Sequence, residues 1–353
     1  MSDTNLLMEK AQRFADEQRW QEAVEVARKA LALTPNNTWI KDKLGWYLSR
    51  AKQYLQAIAV YEELMLQTPD KAKYPYMIGY QYYDQQQYVK AIPWFEKALS
   101  LNTNYIVVLY RQGYAEVHEN NISKGEKLFV RCVRAWRQIE DEEERKRASK
   151  DYASACFQLG KIYADRFDYE NAAKAFASAV EYDSENHDKL YNLGKALVKL
   201  ERFEEALQAL QTADRLKPRQ HYIQAYLARA QQGVGQIAAA ERLYKRIPEH
   251  VKNKFPYIWT FQAEMYVQQK CFAEAIQTLL PITKRPNPKI PQNWFHTFIL
   301  LGQAYEGTDD IVEAYRAYKH ADEWKHGTKA AALVQERLKI LEQLARERNV
   351  NLI

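Results

Sequence analysis

Residues 43–69 read KLGWYLSRAKQYLQAIAVYEELMLQTP. Gly45 is followed twelve residues later by a second small residue, Ala57, then four residues on by a large one, Tyr61, and Pro69 closes the stretch. A small residue in each of two helices lets the pair approach closely, and a bulky residue at +4 fills the next groove on the same face. The closing proline stops the second helix from running on. Working outward, Gly45, Gly79 and Gly113 are 34 residues apart, as are Gly160 and Gly194, and Gly302 sits in the same local pattern. The second small residue recurs at Ala23, Ala57, Ala91, Gly125, Ala172, Ala206, Ala240, Ala275 and Ala314. The +4 position recurs at Ala27, Tyr61, Phe95, Phe129, Phe176, Leu210, Tyr244, Leu279 and Tyr318. Nine helix pairs are expected, and a fixed period of this length marks a stacked array.

Composition agrees. Only 11 of 353 residues are Gly and 11 are Pro, too few for the turns of a β-sandwich, barrel or propeller of this length. Apolar residues make up 47%, enough for a sizeable core. The excess is aromatic, with 25 Tyr and 8 Trp. Net charge is +6, a mild balance that permits nucleic-acid binding without implying it. The cysteines, Cys132, Cys156 and Cys271, form no CxxC pair, which suits a reducing compartment. The opening MSDTNLLMEKAQRF has no basic segment leading into a long apolar run, so no leader peptide is expected, and a cytoplasmic location follows as the expectation.

The repeat resembles the tetratricopeptide repeat (TPR) family, whose 34-residue pattern is also visible in YNLGKALVKLERFEEALQALQTADRLKP (191–218). The resemblance implies an all-α fold, a right-handed α-solenoid superhelix of antiparallel helix pairs. Repeat starts are expected near residues 4, 38, 72, 106, 153, 187, 221, 256 and 295, filling 1–328, with a capping helix and tail at 329–353. Two interruptions stand out. The charged segment EDEEERKRASKDY (140–152) carries Asp141/Arg145, Glu142/Lys146 and Glu143/Arg147 at i,i+4 spacing and is read as a helical extension of the fourth repeat's second helix. A proline-rich stretch, 281–293, is expected to be irregular. In 329–349, Ala331, Val334, Leu338, Leu341 and Ala345 share a face, as a terminal cap requires.

Chemistry-bearing motifs are lacking. There is no GxGxxG, no GxxxxGK[ST] and no HExxH. His320 and His326 are poorly spaced for a metal, Asp309-Asp310 reads as turn and cap, and Cys156 reads as core. No enzyme activity, cofactor or metal is expected, so function is sought on a surface. In the family the first helix of each unit lines a concave groove at repeat positions 2, 5, 6, 9, 12 and 13. Carried onto this chain, those positions and the rings and cations beside them give Lys43, Trp46, Arg50, Lys73, Tyr76, Tyr80, Tyr83, Tyr110, Arg111 and Tyr114, followed by Phe157, Lys161, Tyr191, Asn192, Lys195, Tyr226 and Arg229. Tyr76, Tyr80 and Tyr83 share one helix face, and Tyr110 and Tyr114 repeat it one unit on. Large rigid rings interleaved with cations suit partner recognition. The family's carboxylate clamp is incomplete, since only Asn192 fits its middle position.

The expected function is a non-enzymatic protein–protein interaction scaffold that takes a partner peptide or helix, acidic by preference, in an aromatic-basic groove. Two alternatives are single-stranded nucleic-acid binding, which uses the same rings and cations, and a regulatory or substrate-presenting role in a larger enzyme or defence system. Membrane insertion is not expected. Tryptophans expected on the convex faces, Trp20, Trp94, Trp136 and Trp324, some of them exposed, leave self-association open.

Overall fold

The computed structural model describes residues 3–283, 291–323 and 328–352. The central part of the expected irregular stretch, 284–290, lies outside them, as do Trp324 and His326. The described residues hold twenty helices and no strand, in two compact units, 1–185 and 186–353. None of the described helices is long and apolar enough to cross a membrane.

Unit 1 contains α1 (Asp3–Asp16), α2 (Trp20–Leu33), α3 (Thr38–Arg50), α4 (Tyr54–Gln67), α5 (Lys73–Asp84), α6 (Tyr88–Leu101), α7 (Ile106–His118), α8 (Ile122–Arg137), α9 (Glu142–Asp165) and α10 (Tyr169–Glu181). Each helix packs on the helices next to it in sequence, and α7 also reaches α9. The spaced glycines explain the pairing. A Cβ on Gly45 would meet the Tyr61 ring at 2.8 Å, and one on Gly160 would meet the Phe176 ring at 2.5 Å, so in each pair a ring of the second helix lies against bare backbone of the first. Tyr61, Phe95, Phe129 and Phe176 are all fully buried there.

The turn inside each pair is equally regular. Gln18, Lys52, Gln86, Asn120 and Phe167 all have φ near +60°, and each lies fifteen residues into its repeat. This left-handed residue folds the chain back in three residues, at a cost that only glycine avoids. Side chains cap several first helices. Asn37 accepts from the Trp39 and Ile40 amides, and Asp141 accepts from the Glu144 amide at 2.6 Å.

The charged segment is placed differently from the expectation. It lengthens the first helix of the fifth repeat, α9, and does not continue α8, which stops at Arg137. The Asp141 cap and Glu142–Glu144 in the first turn, facing the positive end of the helix, set the new start. The expected Asp141–Arg145 pair is not made. Arg145 turns back to the Ile139 carbonyl, and the Trp136 indole donates to the Arg145 carbonyl at 3.0 Å, fastening the extension to α8.

Unit 2 contains α11 (His187–Lys199), α12 (Phe203–Leu216), α13 (His221–Gly233), α14 (Ile237–Arg246), α15 (Glu249–Lys254), α16 (Tyr257–Gln268), α17 (Phe272–Thr283), α18 (Pro291–Gly307), α19 (Ile311–Glu323) and α20 (Thr328–Glu347). Helix pairs again alternate, but the short α15 is an addition between the seventh and eighth repeats. Both ends of the stretch expected to be irregular are helical: Pro281 lies within α17 and Pro291 opens α18, where a proline needs no amide partner. The last helix, α20, buries Val334, Leu338, Leu341 and Ala345 in a core shared with Tyr318 of α19.

Candidate functional site

In unit 1 the first helices α3, α5 and α7 place the sequence-selected side chains in two groups. The first is built on Trp46, which is exposed and stands edge-on to Trp20 at 5.3 Å. Arg50 covers Trp20 at 5.1 Å, and Lys43 lies 6.0 Å from the Trp46 ring and 3.4 Å from the Gln12 amide oxygen. Lys73, one helix further on, is held by Asp42 at 2.6 Å.

The second group surrounds Arg111. Its guanidinium lies 4.3 Å from the centre of the Tyr80 ring, 5.4 Å from Tyr83 and 5.8 Å from Tyr76. Tyr76 in turn meets Tyr105 at 5.4 Å, Tyr83 meets Tyr114 at 5.9 Å, and Tyr114 meets His118 at 4.3 Å. Burial pushes the hydroxyls of Tyr76, Tyr83 and Tyr110 up, so all three remain neutral donors at physiological pH. Burial works against the Arg111 charge, yet the oxygens of Tyr76 and Tyr80 more than offset it. Among the described residues Arg111 makes no ion pair, and its buried Nε has no hydrogen-bond partner. Asp151, on α9, is the nearby carboxyl. Burial pushes it up, and the charges of Arg111 and Lys150 offset this only in part.

Several selected residues are spent on structure. Phe157 packs on Phe176 at 5.7 Å, while Lys161 is exposed beyond it. Tyr226 was expected on an open face but is buried, ringed by Tyr191 at 5.7 Å, Tyr257 at 5.7 Å and Phe261 at 5.5 Å. The Asn192 amide donates to the Asp188 carbonyl of its own helix at 2.7 Å. Arg229 is paired with Glu264 at 2.6 Å, and His296 lies 3.5 Å from the same carboxylate. Burial would raise the Glu264 carboxyl, but His296 and Arg229 hold it below the usual carboxylate range. Lys195 stays half-buried, 6.0 Å from the Tyr226 ring.

Thus the seventeen selected residues do not form one uniform stripe. Tyr76, Tyr80, Tyr83, Tyr110, Arg111 and Tyr114 come together in unit 1, and Tyr191, Lys195, Tyr226 and Arg229 belong to a separate, largely self-satisfied cluster in unit 2. Sequence reasoning missed Tyr105, Asp151 and Glu264. Glu264 had a signal, because it repeats the position of Arg229 one unit later with the opposite charge. Among the described residues no group of His, Cys, Asp or Glu could hold a metal ion.

Comparison with known proteins bears on the whole arrangement. The family model for the tetratricopeptide repeat matches residues 43–105 and 157–221. Over 156 residues, 44% of this chain, the sequence is 26% identical to a TPR repeat-containing protein of Methanocaldococcus jannaschii. The match spans 26% of that relative's length. Among solved structures, the chain is similar to a tetratricopeptide repeat protein from Parabacteroides merdae, at 14% identity and a TM-score of 0.48, covering 80% of this chain and 98% of that one. It is also similar to YrrB, described as a TPR protein with an unusual peptide-binding site, at 23% identity and a TM-score of 0.43, covering 57% and 96% respectively.

Proposed function

Because the chain is a tetratricopeptide-repeat protein, we propose that it is a non-catalytic adaptor that holds a segment of a partner protein against α5 and α7 of unit 1, with Arg111 as the anchor for an acidic group. The observation that carries this reading is the state of Arg111. Its guanidinium lies within 5.8 Å of the ring centres of Tyr80, Tyr83 and Tyr76, and among the described residues no carboxylate is paired with it. The neighbouring cation Lys73 is already neutralised by Asp42. Around Arg111 the phenols are donors, which suits a carboxylate of the partner. Stacking of single-stranded bases is less favoured, because the ring faces are occupied by one another and by Arg111.

The test is affinity capture from the source cells with the full chain and with Tyr80→Ala/Arg111→Glu. The parent is expected to recover a protein that the double variant loses. The same protein recovered at the same level by both would remove the groove assignment.

A further inference from the structure

A cleft of about 480 Å3 opens in unit 1 where the 34-residue spacing is broken. Four of its lining residues, Glu144, Arg147, Ala148 and Asp151, come from the thirteen inserted residues 140–152, so an uninterrupted repeat would not supply this wall. The opposite wall is Asn102, Asn104 and Tyr105, from the turn between α6 and α7. The end of α8 contributes Ala135, Gln138 and Ile139. The cleft is therefore amphipathic: Ile106, Val107, Ala135, Ile139 and Ala148 form an apolar lining, and the polar groups gather at Glu144 and Asp151.

Asp151 is the informative group. Among the described residues it has no hydrogen bond and no ion pair, although it is only partly exposed. A half-buried carboxylate without a partner is costly, and a bound cation is the group that relieves it. The charges of Arg111 and Lys150 favour the carboxylate without overcoming its burial, and neither forms an ion pair with it. The acids of the lining outnumber its single cation, the exposed Arg147.

We propose that this cleft receives a lysine or arginine side chain of a partner protein, its aliphatic stem on the apolar lining and its cationic head between Asp151, Glu144 and the Tyr105 ring. Long basic side chains bury their stems and keep the head at a polar end in this way, and a ring nearby adds cation–π attraction. Amide oxygens of Asn102, Asn104 and Gln138 accept from the remaining head protons. The inference goes beyond the groove reading, since the lining of the cleft contains neither Arg111 nor Tyr76, Tyr80 or Tyr83, although its Tyr105 packs on Tyr76.

The experiment uses the full chain labelled with 13C-carboxyl aspartate, the Asp151 signal being assigned by its loss in Asp151→Asn. N-acetyl-arginine methylamide, N-acetyl-lysine methylamide and the uncharged N-acetyl-citrulline methylamide are titrated in. Both cationic probes are expected to move the Asp151 signal saturably and citrulline to leave it in place. In ligand-observed saturation transfer, Asp151→Asn should weaken the arginine probe at least about tenfold, the size of a lost charge-assisted hydrogen bond. Arg147→Ala should tighten it, by removal of the competing cation. Asp151→Asn keeps the shape of the side chain, and an unchanged helical circular-dichroism signal serves as its folding control. The inference is overturned if Asp151→Asn binds the arginine probe as well as the parent does. It is equally overturned if citrulline matches arginine, or if N-acetyl-glutamate methylamide binds where the cations do not.

Discussion

Gly160→Ala tests the close approach that fixes the helix pair. The new methyl carbon would lie 2.5 Å from Cδ1 and Cε1 of Phe176 and 2.9 Å from its Cζ. Restoring ordinary contact requires α9 and α10 to separate, or the ring to move, by roughly 1 Å. Phe176 is 1% exposed and has nowhere to go, so the overpacking costs about 1–3 kcal/mol. Alanine is better than glycine inside a helix by about 1 kcal/mol. The net expectation is destabilisation by about 0–2 kcal/mol. The background Phe176→Ala costs about 3–5 kcal/mol by itself, but it removes the obstacle, and there Gly160→Ala should stabilise by up to about 1 kcal/mol. The sign of the substitution thus reverses with the ring present or absent, and the coupling between the two positions should be about 1–3 kcal/mol. Native-state hydrogen exchange of the α9 and α10 amides is the suitable assay, because stacked repeats unfold in parts. Equal destabilisation in both backgrounds would refute the claim that ring against backbone sets the pair.

Other perturbations give equally definite expectations. Phe167 is 67% exposed with φ of 61°, so Phe167→Gly should stabilise by up to about 1 kcal/mol, the left-handed strain of 1–2 less the entropy of a freer chain, measurable by urea denaturation. Gly235 has φ of +81° with open space around it, and Gly235→Ala should destabilise through backbone strain alone. Because burial raises the Asp151 carboxyl above its unfolded value, its contribution to stability is present in acid and is lost as pH rises through the folded value; Asp151→Asn should therefore raise the melting temperature more at pH 7 than at pH 4. Glu264 is the opposite case, held below the usual range, so its contribution persists above that range and fades as acid protonates it; Glu264→Gln should destabilise at pH 7 and lose its effect at low pH. Ellman's reagent should modify Cys271 first, since Cys132 and Cys156 are buried and burial pushes the Cys132 thiol up.

The helix pairs were legible because each is held by a contact that leaves a trace at fixed spacing. Gly45 with Tyr61 and Gly160 with Phe176 are one contact repeated, sixteen residues apart each time. The turns between the paired helices left no such trace. Their left-handed residue is Gln, Lys, Asn, Phe, Glu or Asp at Gln18, Lys52, Asn120, Phe167, Glu201 and Asp309, so backbone geometry is shared while side-chain chemistry is not. The start of α9 turned on the reach of one side chain, Asp141, to one amide, which i,i+4 charge counting does not register. Repeat position placed the aromatic residues on the first helices, but it could not say what each ring meets. Tyr80 and Tyr226, at repeat positions 9 and 6, both fall on the expected groove face, yet Tyr257 and Phe261 from the following unit close over Tyr226 while Arg111 lies against Tyr80. That outcome depends on residues 31 to 35 positions away, and it sorts the sequence-selected residues into structural and candidate binding groups.

The packing of each helix on its immediate neighbours in sequence also has a consequence in time. Few contacts in either unit require distant parts of the chain to meet, so little loop-closure entropy stands before the first productive encounter. Any adjacent pair can serve as a nucleus, and order then spreads outward one helix at a time. Helices with fewer packed neighbours are the last to gain protection and the first to open. By that measure α5 and α7, which carry the Arg111 cluster deep inside their stack, are among the longest-lived parts of unit 1.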